Sequence, residues 1–338
     1  MAELTHTRFL LPERSYQAIV RSDLKKMAES AGFSGHRLGE VEILIAELTS
    51  NLLKHAAKGG EILARITKKP AEGIEFISID HGPGMRWPAH MIEDGVSTTK
   101  TLGQGLGAIQ RISNVFHLYS IDGWGTILYA QACLDKKCIP TYKDLETGFI
   151  STPKKTETIC GDLCTVTRHD NKYRIMMIDG LGHGPEANKA ARIATDAFEK
   201  YPQDSPAEQL KDLNEKLRHS RGGVVTVVDL GIDSHRLRYA GVGNISMRII
   251  SHARSHGCLP YNGIVGHNMP SYLEDHVVPM ESQQEILIMH SDGLSARWDL
   301  SKYPGIRQHP MIILCAALYK DHNRDNDDST ILVVKFIK

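Results

Sequence analysis

Residues 173–185, YRIMMIDGLGHGP, constrain this chain more than any other stretch. The apolar run 175–178 is short and is closed by a glycine-rich turn, so it reads as a buried strand. Asp179 stands at the strand's end. Gly180, Gly182 and Gly184 follow, and the backbone can turn sharply there and approach another group closely. Pro185 suits the first turn of a helix, and EANKAARIATDAFEKY after it has helical spacing. Asp-Gly by itself is a common turn dipeptide. A carboxylate at a strand end beside a flexible loop is also a good place to hold a metal ion, and recurrence downstream favours that second meaning.

The recurrence is specific. Asp162 directly follows Gly161 in the strand-like stretch ETICGDLCTVTRH, which pairs naturally with the strand ending in Asp179. The segment 285–293, EILIMHSDG, is again an apolar strand ending in Asp292-Gly293, and RDNDDSTILVVKF places Asp327 and Asp328 just before the last strand. Hard divalent cations need several oxygen ligands and usually keep waters. Asp162, Asp179, Asp292 and either Asp327 or Asp328 could together hold two such ions, which share a water, lower its pKa and clamp an in-line displacement. Phosphoryl-group hydrolysis is the chemistry such a site serves, and it requires no Cys or His nucleophile. Around these acids the pattern gives an opening strand, TGFISTPKK, helices after Pro185 and around SPAEQLKDLNEKLRHS, and strands in GGVVTVVDLGID, HRLRYAGVGN and ISMRIIS.

The first part of the chain has a different grammar. Residues 14–31 read as an amphipathic helix that Gly32 ends. In the next helix, about residues 37–57, Val41, Leu44, Ile45, Leu48 and Leu52 fall on one face. Glu47 and Asn51 lie one turn apart at the border of that stripe. Strands EILARITKK and GIEFISID follow, the second ending in Asp80 with Gly82 and Gly84 after it. Then Gly103, Gly105 and Gly107 run into the helix AIQRISNVF, where exposed backbone N–H groups at a positive dipole end suit phosphate. Strands HLYSIDG and TILYAQACL close the segment. The polar, proline-containing stretch DKKCIPTYKDLE marks a domain boundary.

Composition excludes several classes. The chain has 338 residues, long enough for two domains, with 41% hydrophobic side chains for ordinary cores. Its 40 basic and 40 acidic side chains cancel, so nothing steers it toward nucleic acid or an anionic membrane. No signal peptide or membrane-length apolar run is present. Six cysteines without regular spacing make no disulfide framework, and Cys160 and Cys164 read as buried thiols in a reducing cytoplasm.

The segments ELTSNLLKHA, IDHGPGM, EDGVSTTKTLGQGLGAIQRIS and GWGT resemble the GHKL superfamily of gyrase-type ATPases and histidine kinases. Within it they resemble the small serine kinases of bacterial partner-switching modules, the anti-sigma and switch kinases. The resemblance implies an α/β sandwich that binds ATP with Mg2+. Glu47 is then the base toward a serine hydroxyl or water, and Asn51 coordinates the Mg2+. Asp80 accepts a hydrogen bond from the adenine amino group, Gly82 and Gly84 let the base lie against the backbone, and Gly103, Gly105 and Gly107 wrap the phosphates. His55 matches the family's helix end and is read as structural.

In the second half, GD, IDGLGHGPEA, GVGN, HSDG and DDST resemble the PP2C metal-dependent phosphatases, in the bacterial branch typified by the sporulation protein E and stress-regulator phosphatases. The resemblance implies an α-β-β-α sandwich in which Asp179 bridges two Mn2+ or Mg2+ ions and the Gly180 carbonyl joins it. Asp292 and Asp327 complete one ion's shell, and Asp162 makes contact through water. Asp327 is preferred to Asp328 because it best matches the family's Asp-x-x-Thr pattern, and His183 is read as loop structure.

The expected chain is therefore α+β, with a GHKL domain at 1–135, a linker at 136–146 and a phosphatase domain at 147–338. Its expected function is that of a cytoplasmic regulator. The C-terminal half dephosphorylates phosphoserine on a STAS-type antagonist, and the N-terminal half phosphorylates a partner on serine. The alternative makes the N-terminal half a non-catalytic, ATP-dependent module that captures a sigma factor or STAS partner. A homodimer is the candidate assembly, with no nucleic-acid or membrane partner.

Overall fold

The computed structural model describes residues 5–56, 59–68, 71–88, 105–135, 144–251, 255–280 and 285–337. The chain divides into two compact units, Met1–Lys143 with Leu300–Lys320, and Asp144–Asp299 with Asp321–Lys338.

The first unit opens with β1 (Thr7–Leu11), α1 (Gln17–Ser30) and α2 (Gly35–His55). It continues with β2 (Gly60–Thr67), β3 (Gly73–Asp80), α3 (Gly105–Ile112), β4 (Val115–Ile121) and β5 (Gly125–Cys133). The five strands form one antiparallel sheet in the order β1-β2-β3-β5-β4. β3 is its middle strand and is buried at every position, its polar Glu75, Ser78 and Asp80 included. The three- and four-residue spacing on α2 turns Val41, Leu44, Ile45, Leu48 and Leu52 into one core with Ile62, Ala64, Ile74 and Phe76 of the sheet. Strand alternation puts Glu75, between Ile74 and Phe76, on the opposite face. There His6, Arg65 and Tyr129 engage its carboxylate. The segment Leu300–Lys320 also belongs to this unit: the Tyr119 hydroxyl donates to Pro304 O at 3.0 Å, and the Lys320 ammonium lies 4.0 Å from the Trp124 ring centroid.

The second unit contains β6 (Leu145–Thr152), β7 (Asp162–His169), β8 (Lys172–Gly180), α4 (Pro185–Lys200) and α5 (Pro206–Leu217). Next come β9 (Gly223–Gly231), β10 (Arg236–Val242), β11 (Ser246–Ile250), β12 (Ser255–Cys258), β13 (His276–Pro279) and β14 (Ile286–His290). The second half of the chain ends with α6 (Met311–His322) and β15 (Ser329–Phe336). Leu145 and Glu146, expected in the linker, instead open β6. Two five-stranded sheets result, ordered β13-β10-β9-β8-β7 and β12-β11-β14-β15-β6. They share a core in which the Tyr173 ring meets Phe336 edge-on, centroids 6.5 Å apart. α4 and α5 pack on the first sheet, and Ser205 caps α5 by accepting from the Glu208 N–H.

Cys160 and Cys164 are buried free thiols, as expected, and so are Cys258 and Cys315, whereas Cys133 is disulfide-bonded. No helix among the described residues is long and apolar enough to cross a membrane.

Candidate functional site

In the first unit, α2, the β3 end and the α3 start converge. Glu47 and Asn51 are half-buried on α2. A Cβ at Gly105 would lie 2.8 Å from Glu47 Oε2 and 3.5 Å from Asn51 Oδ1, so glycine lets the α3 N-terminus close onto this pair. The Asn51 side-chain nitrogen is buried with no hydrogen-bond partner, an amide held in place without a protein group to satisfy it. Asp80 is buried at the end of β3, where its Oδ1 accepts from the Gly82 N–H at 2.7 Å. A Cβ at Gly82 would strike His55 O at 2.2 Å, so the loop after Asp80 runs flush against the end of α2. Burial lowers the His55 pKa, partly offset by the charge of Asp80. Gly84 lies farther along the loop with φ +71°, and Gly107 is buried in α3. Gly103 and residues 93–100 of the lid lie outside the described residues.

In the second unit the acids gather at one end of both sheets. The β7–β8 register sets Asp162 directly opposite Asp179. Burial, followed by the charge of Asp179, pushes the Asp162 carboxyl well above the usual carboxylate range. Asp179 is likewise raised, by burial first and then by Asp292, Asp327 and Asp328. Carboxylates that perturb one another in this way call for protons or cations to offset their charge. Asp162 Oδ2 is buried without a hydrogen-bond partner, leaving an acceptor available for a cation. Among the described residues no three His, Cys, Asp or Glu side chains stand together closely enough to hold a metal ion by themselves. Small hard cations retain several waters, so a few carboxylates that do not close a cage still match their chemistry.

Asp327 and Asp328 differ sharply. Asp328 is buried, and both its oxygens are committed: Oδ1 accepts from the Lys154 N–H and Oδ2 from the Gly161 N–H, each at 2.7 Å. It ties the start of β15 to the β6–β7 connection. Asp327 is half-buried and accepts only from the adjacent Asp328 N–H, at 2.9 Å. Asp292 is exposed beyond β14, and Asn244 steadies it by donating to Oδ2 at 3.0 Å. The Gly180 N–H faces Gly161 O at 3.3 Å, and a Cβ on Gly180 would meet Ala187 O at 2.5 Å. Sequence reasoning missed Ser291, whose hydroxyl bonds Asp162 and accepts from the Thr330 N–H at 3.0 Å. It also missed the positioning by Asn244, although GVGN was visible, and the bracing by Asp328.

A sheet sandwich with acids at one end, joined to an α/β unit whose helix pair closes on Glu47 and Asn51, defines a PP2C-type phosphatase domain behind a GHKL-type domain. The comparisons agree. The stage II sporulation protein E (SpoIIE) family profile matches residues 169–337, and the histidine kinase-like ATPase domain profile matches residues 11–131. The chain belongs to the SpoIIE family and carries a histidine kinase-like ATPase domain ahead of that region. The phosphoserine phosphatase RsbX of Bacillus subtilis is 26% identical over 168 residues, 49% of this chain and 79% of the relative. The serine/threonine-protein kinase RsbT of the same organism is 31% identical over 106 residues, 31% of this chain and 80% of the relative. A solved chain, described as the bacterial stressosome, a modular system adapted to control secondary messenger signaling, is similar with TM-score 0.53 and 27% identity. That match covers 57% of this chain and all of the solved one.

Proposed function

We propose that this chain is a two-domain regulator of a partner-switching system, acting in the cytoplasm. Its C-terminal half removes phosphate from phosphoserine on a STAS-type antagonist protein. Its N-terminal half binds ATP with Mg2+ and phosphorylates a partner protein on serine. The observation that carries the reading is the gathering of Asp162, Asp179, Asp292 and Asp327 at one end of two sheets, with a buried acceptor on Asp162 left unsatisfied. Asp179 and the Gly180 carbonyl would hold two Mn2+ or Mg2+ ions, with Asp292 and Asp327 on one of them and Asp162 reaching through water. Such ions supply Lewis acidity and an activated water at phosphorus. The chain itself orients the acids: Asn244 holds Asp292, Ser291 holds Asp162, and Asp328 fixes the neighbouring loop.

In the N-terminal half Glu47 would take the proton from the partner's serine, and Asn51 would meet Mg2+. Asp80 would read the adenine amino group beside Gly82 and Gly84, and the glycines opening α3 would cradle phosphate. The likeness to a phosphatase and a kinase within one chain supports opposing activities in one switch. The test mixes the protein with Mn2+ and a phosphoserine peptide and follows phosphate release. Asp179→Asn is expected to lower the rate at least ~100-fold, about 2.7 kcal/mol of barrier. Undiminished release by that variant overturns the site.

A further inference from the structure

We propose that nucleotide bound in the first unit and metal bound in the second tighten one another through the stretch Leu300–Lys320; the inference rests on the reading of both sites given above. By sequence that stretch lies inside the phosphatase half, since Asp292 precedes it and Asp327 follows it. In the structure it packs as part of the first unit. The two acids assigned to one ion therefore flank a piece of chain that the other unit holds.

The nucleotide end of the route is tight. The loop after Asp80 lies on the turn between β4 and β5. The Gly123 N–H donates to Pro83 O at 2.6 Å, and the Met85 N–H donates to Ser120 Oγ at 2.8 Å. A Cβ on Gly84 would strike Ile121 O and one on Gly125 would strike Asp80 O, so glycine at both places lets the two backbones meet. Trp124 stands in that turn. Lys320 Nζ donates to Trp124 O at 2.9 Å with its ammonium over the indole ring, and the Tyr303 ring meets the same indole edge-on, centroids 5.7 Å apart. The GWGT motif thus joins the Asp80 loop to both ends of the stretch.

The metal end is equally direct. Lys320 and His322 lie two residues apart on one helix, α6. The end of that helix closes a neck with the residues that follow Asp292. The Ser295 N–H donates to His322 O and the Arg324 N–H to Gly293 O, each at 2.9 Å, and Leu294 and Asn323 form an antiparallel bridge. Gly293 adjoins Asp292. Asn323 Oδ1 accepts from the Ser329 hydroxyl at 2.8 Å, which ties the neck across the loop that carries Asp327.

Ordering is what passes along this route. A nucleotide that engages Asp80 would fix the loop against the turn, and with it Trp124, Lys320 and the neck. A metal ion needs Asp292 and Asp327 in set positions, and ordering them costs free energy. A ligand that has already ordered part of the route lowers that cost for the other, which is positive cooperativity without a large movement. Linkage makes the effect reciprocal, so it can be read from the nucleotide side.

The test titrates the full chain with a fluorescently labelled, non-hydrolysable ATP analogue in one fixed mixture of Mg2+ and Mn2+, and compares wild type with Asp179→Asn. The nucleotide's own metal is present in both proteins, whereas the phosphatase metals are present only in the wild type. The wild type should bind the analogue at least ~5-fold more tightly, the low end of usual coupling. Lys320→Met keeps the aliphatic stem and removes the ammonium; in that background the effect of Asp179→Asn should shrink below ~2-fold, a double-mutant cycle that isolates the route. Tyr303→Leu is the second uncoupling variant. Equal or weaker affinity in the wild type overturns the inference, as does a difference that persists undiminished in both uncoupling variants. Failure of the analogue to bind any of the proteins overturns the nucleotide reading, and a Tm that Mn2+ does not raise in the wild type, or raises equally in Asp179→Asn, overturns the metal reading.

Discussion

Asp327 and Asp328 are adjacent, chemically identical and expected to fail in opposite ways. Asp328→Ala removes two hydrogen bonds from a buried carboxylate to backbone donors, each 2.7 Å long. Hydrogen bonds to charged groups contribute about 1.5–3 kcal/mol each, so the gross loss is roughly 3–6 kcal/mol. Part is returned, because the carboxyl is raised by burial and repelled by its neighbour Asp327. A net destabilisation of about 2–3 kcal/mol remains, and for a unit of this size it lowers Tm by roughly 4–12 °C. Asp327→Ala removes one local acceptor contact, and the metal-free Tm should stay within the equivalent of about 1 kcal/mol. The Mn2+ response reverses the order: Asp327→Ala should weaken Mn2+ at least ~10-fold, about 1.4 kcal/mol of linked stabilisation, while Asp328→Ala retains most of it. The assay is thermal unfolding in chelator and across a Mn2+ titration. The metal-sensitive transition is followed alone, because a two-unit chain need not melt in one step. A metal-free Tm that falls for Asp327→Ala and not for Asp328→Ala, or a Mn2+ response lost only in Asp328→Ala, refutes the assignment of bracing to one acid and ligation to the other.

Two further outcomes concern the first unit. Glu47→Ala should abolish serine phosphorylation of a STAS partner while ATP affinity, measured by calorimetry, changes less than ~3-fold; loss of binding together with transfer would make Glu47 a nucleotide-site brace instead of the base. Glu75 supplies a pH dependence. Burial alone would raise its pKa, but Arg65 and His6 outweigh burial and hold it at about 2, below the ordinary 4.5. A depressed folded-state value means that the carboxylate stabilises the unit above pH 4.5 and that the contribution is lost as pH falls from there toward 2. The gap from 4.5 to about 2 is worth about 3 kcal/mol. Circular dichroism between pH 6 and 2 should show Glu75→Gln less stable at pH 6 and with a flatter acid limb; matching acid limbs in the two proteins would remove Glu75 from the account.

Much of this architecture was legible locally. α2 announced itself through Val41, Leu44, Ile45, Leu48 and Leu52, because helix packing imposes its own spacing on sequence. β3, β8 and β14 were visible as short apolar runs, and Asp80, Asp179 and Asp292 as acids closing them before glycine. α6 escaped because eight of its twelve residues are buried, so no polar face marks its period.

The sequence by itself determined where strands stop, which acids stand at their ends and which glycines open the turns. These are short-range properties, set by side-chain alternation and by the backbone angles that only glycine adopts without strain. Tertiary structure decided who meets whom. β6 precedes β7 in the chain yet joins the other sheet, pairing Leu145 with Phe336 at the far end of the sequence. That pairing, with Asp328 reaching from β15 to Lys154 and Gly161, brings Glu157 to His183 and commits Asp328 to backbone donors that Asp327 does not meet. Nothing local encodes such meetings, because they depend on contacts between residues that only the assembled core brings within hydrogen-bond reach.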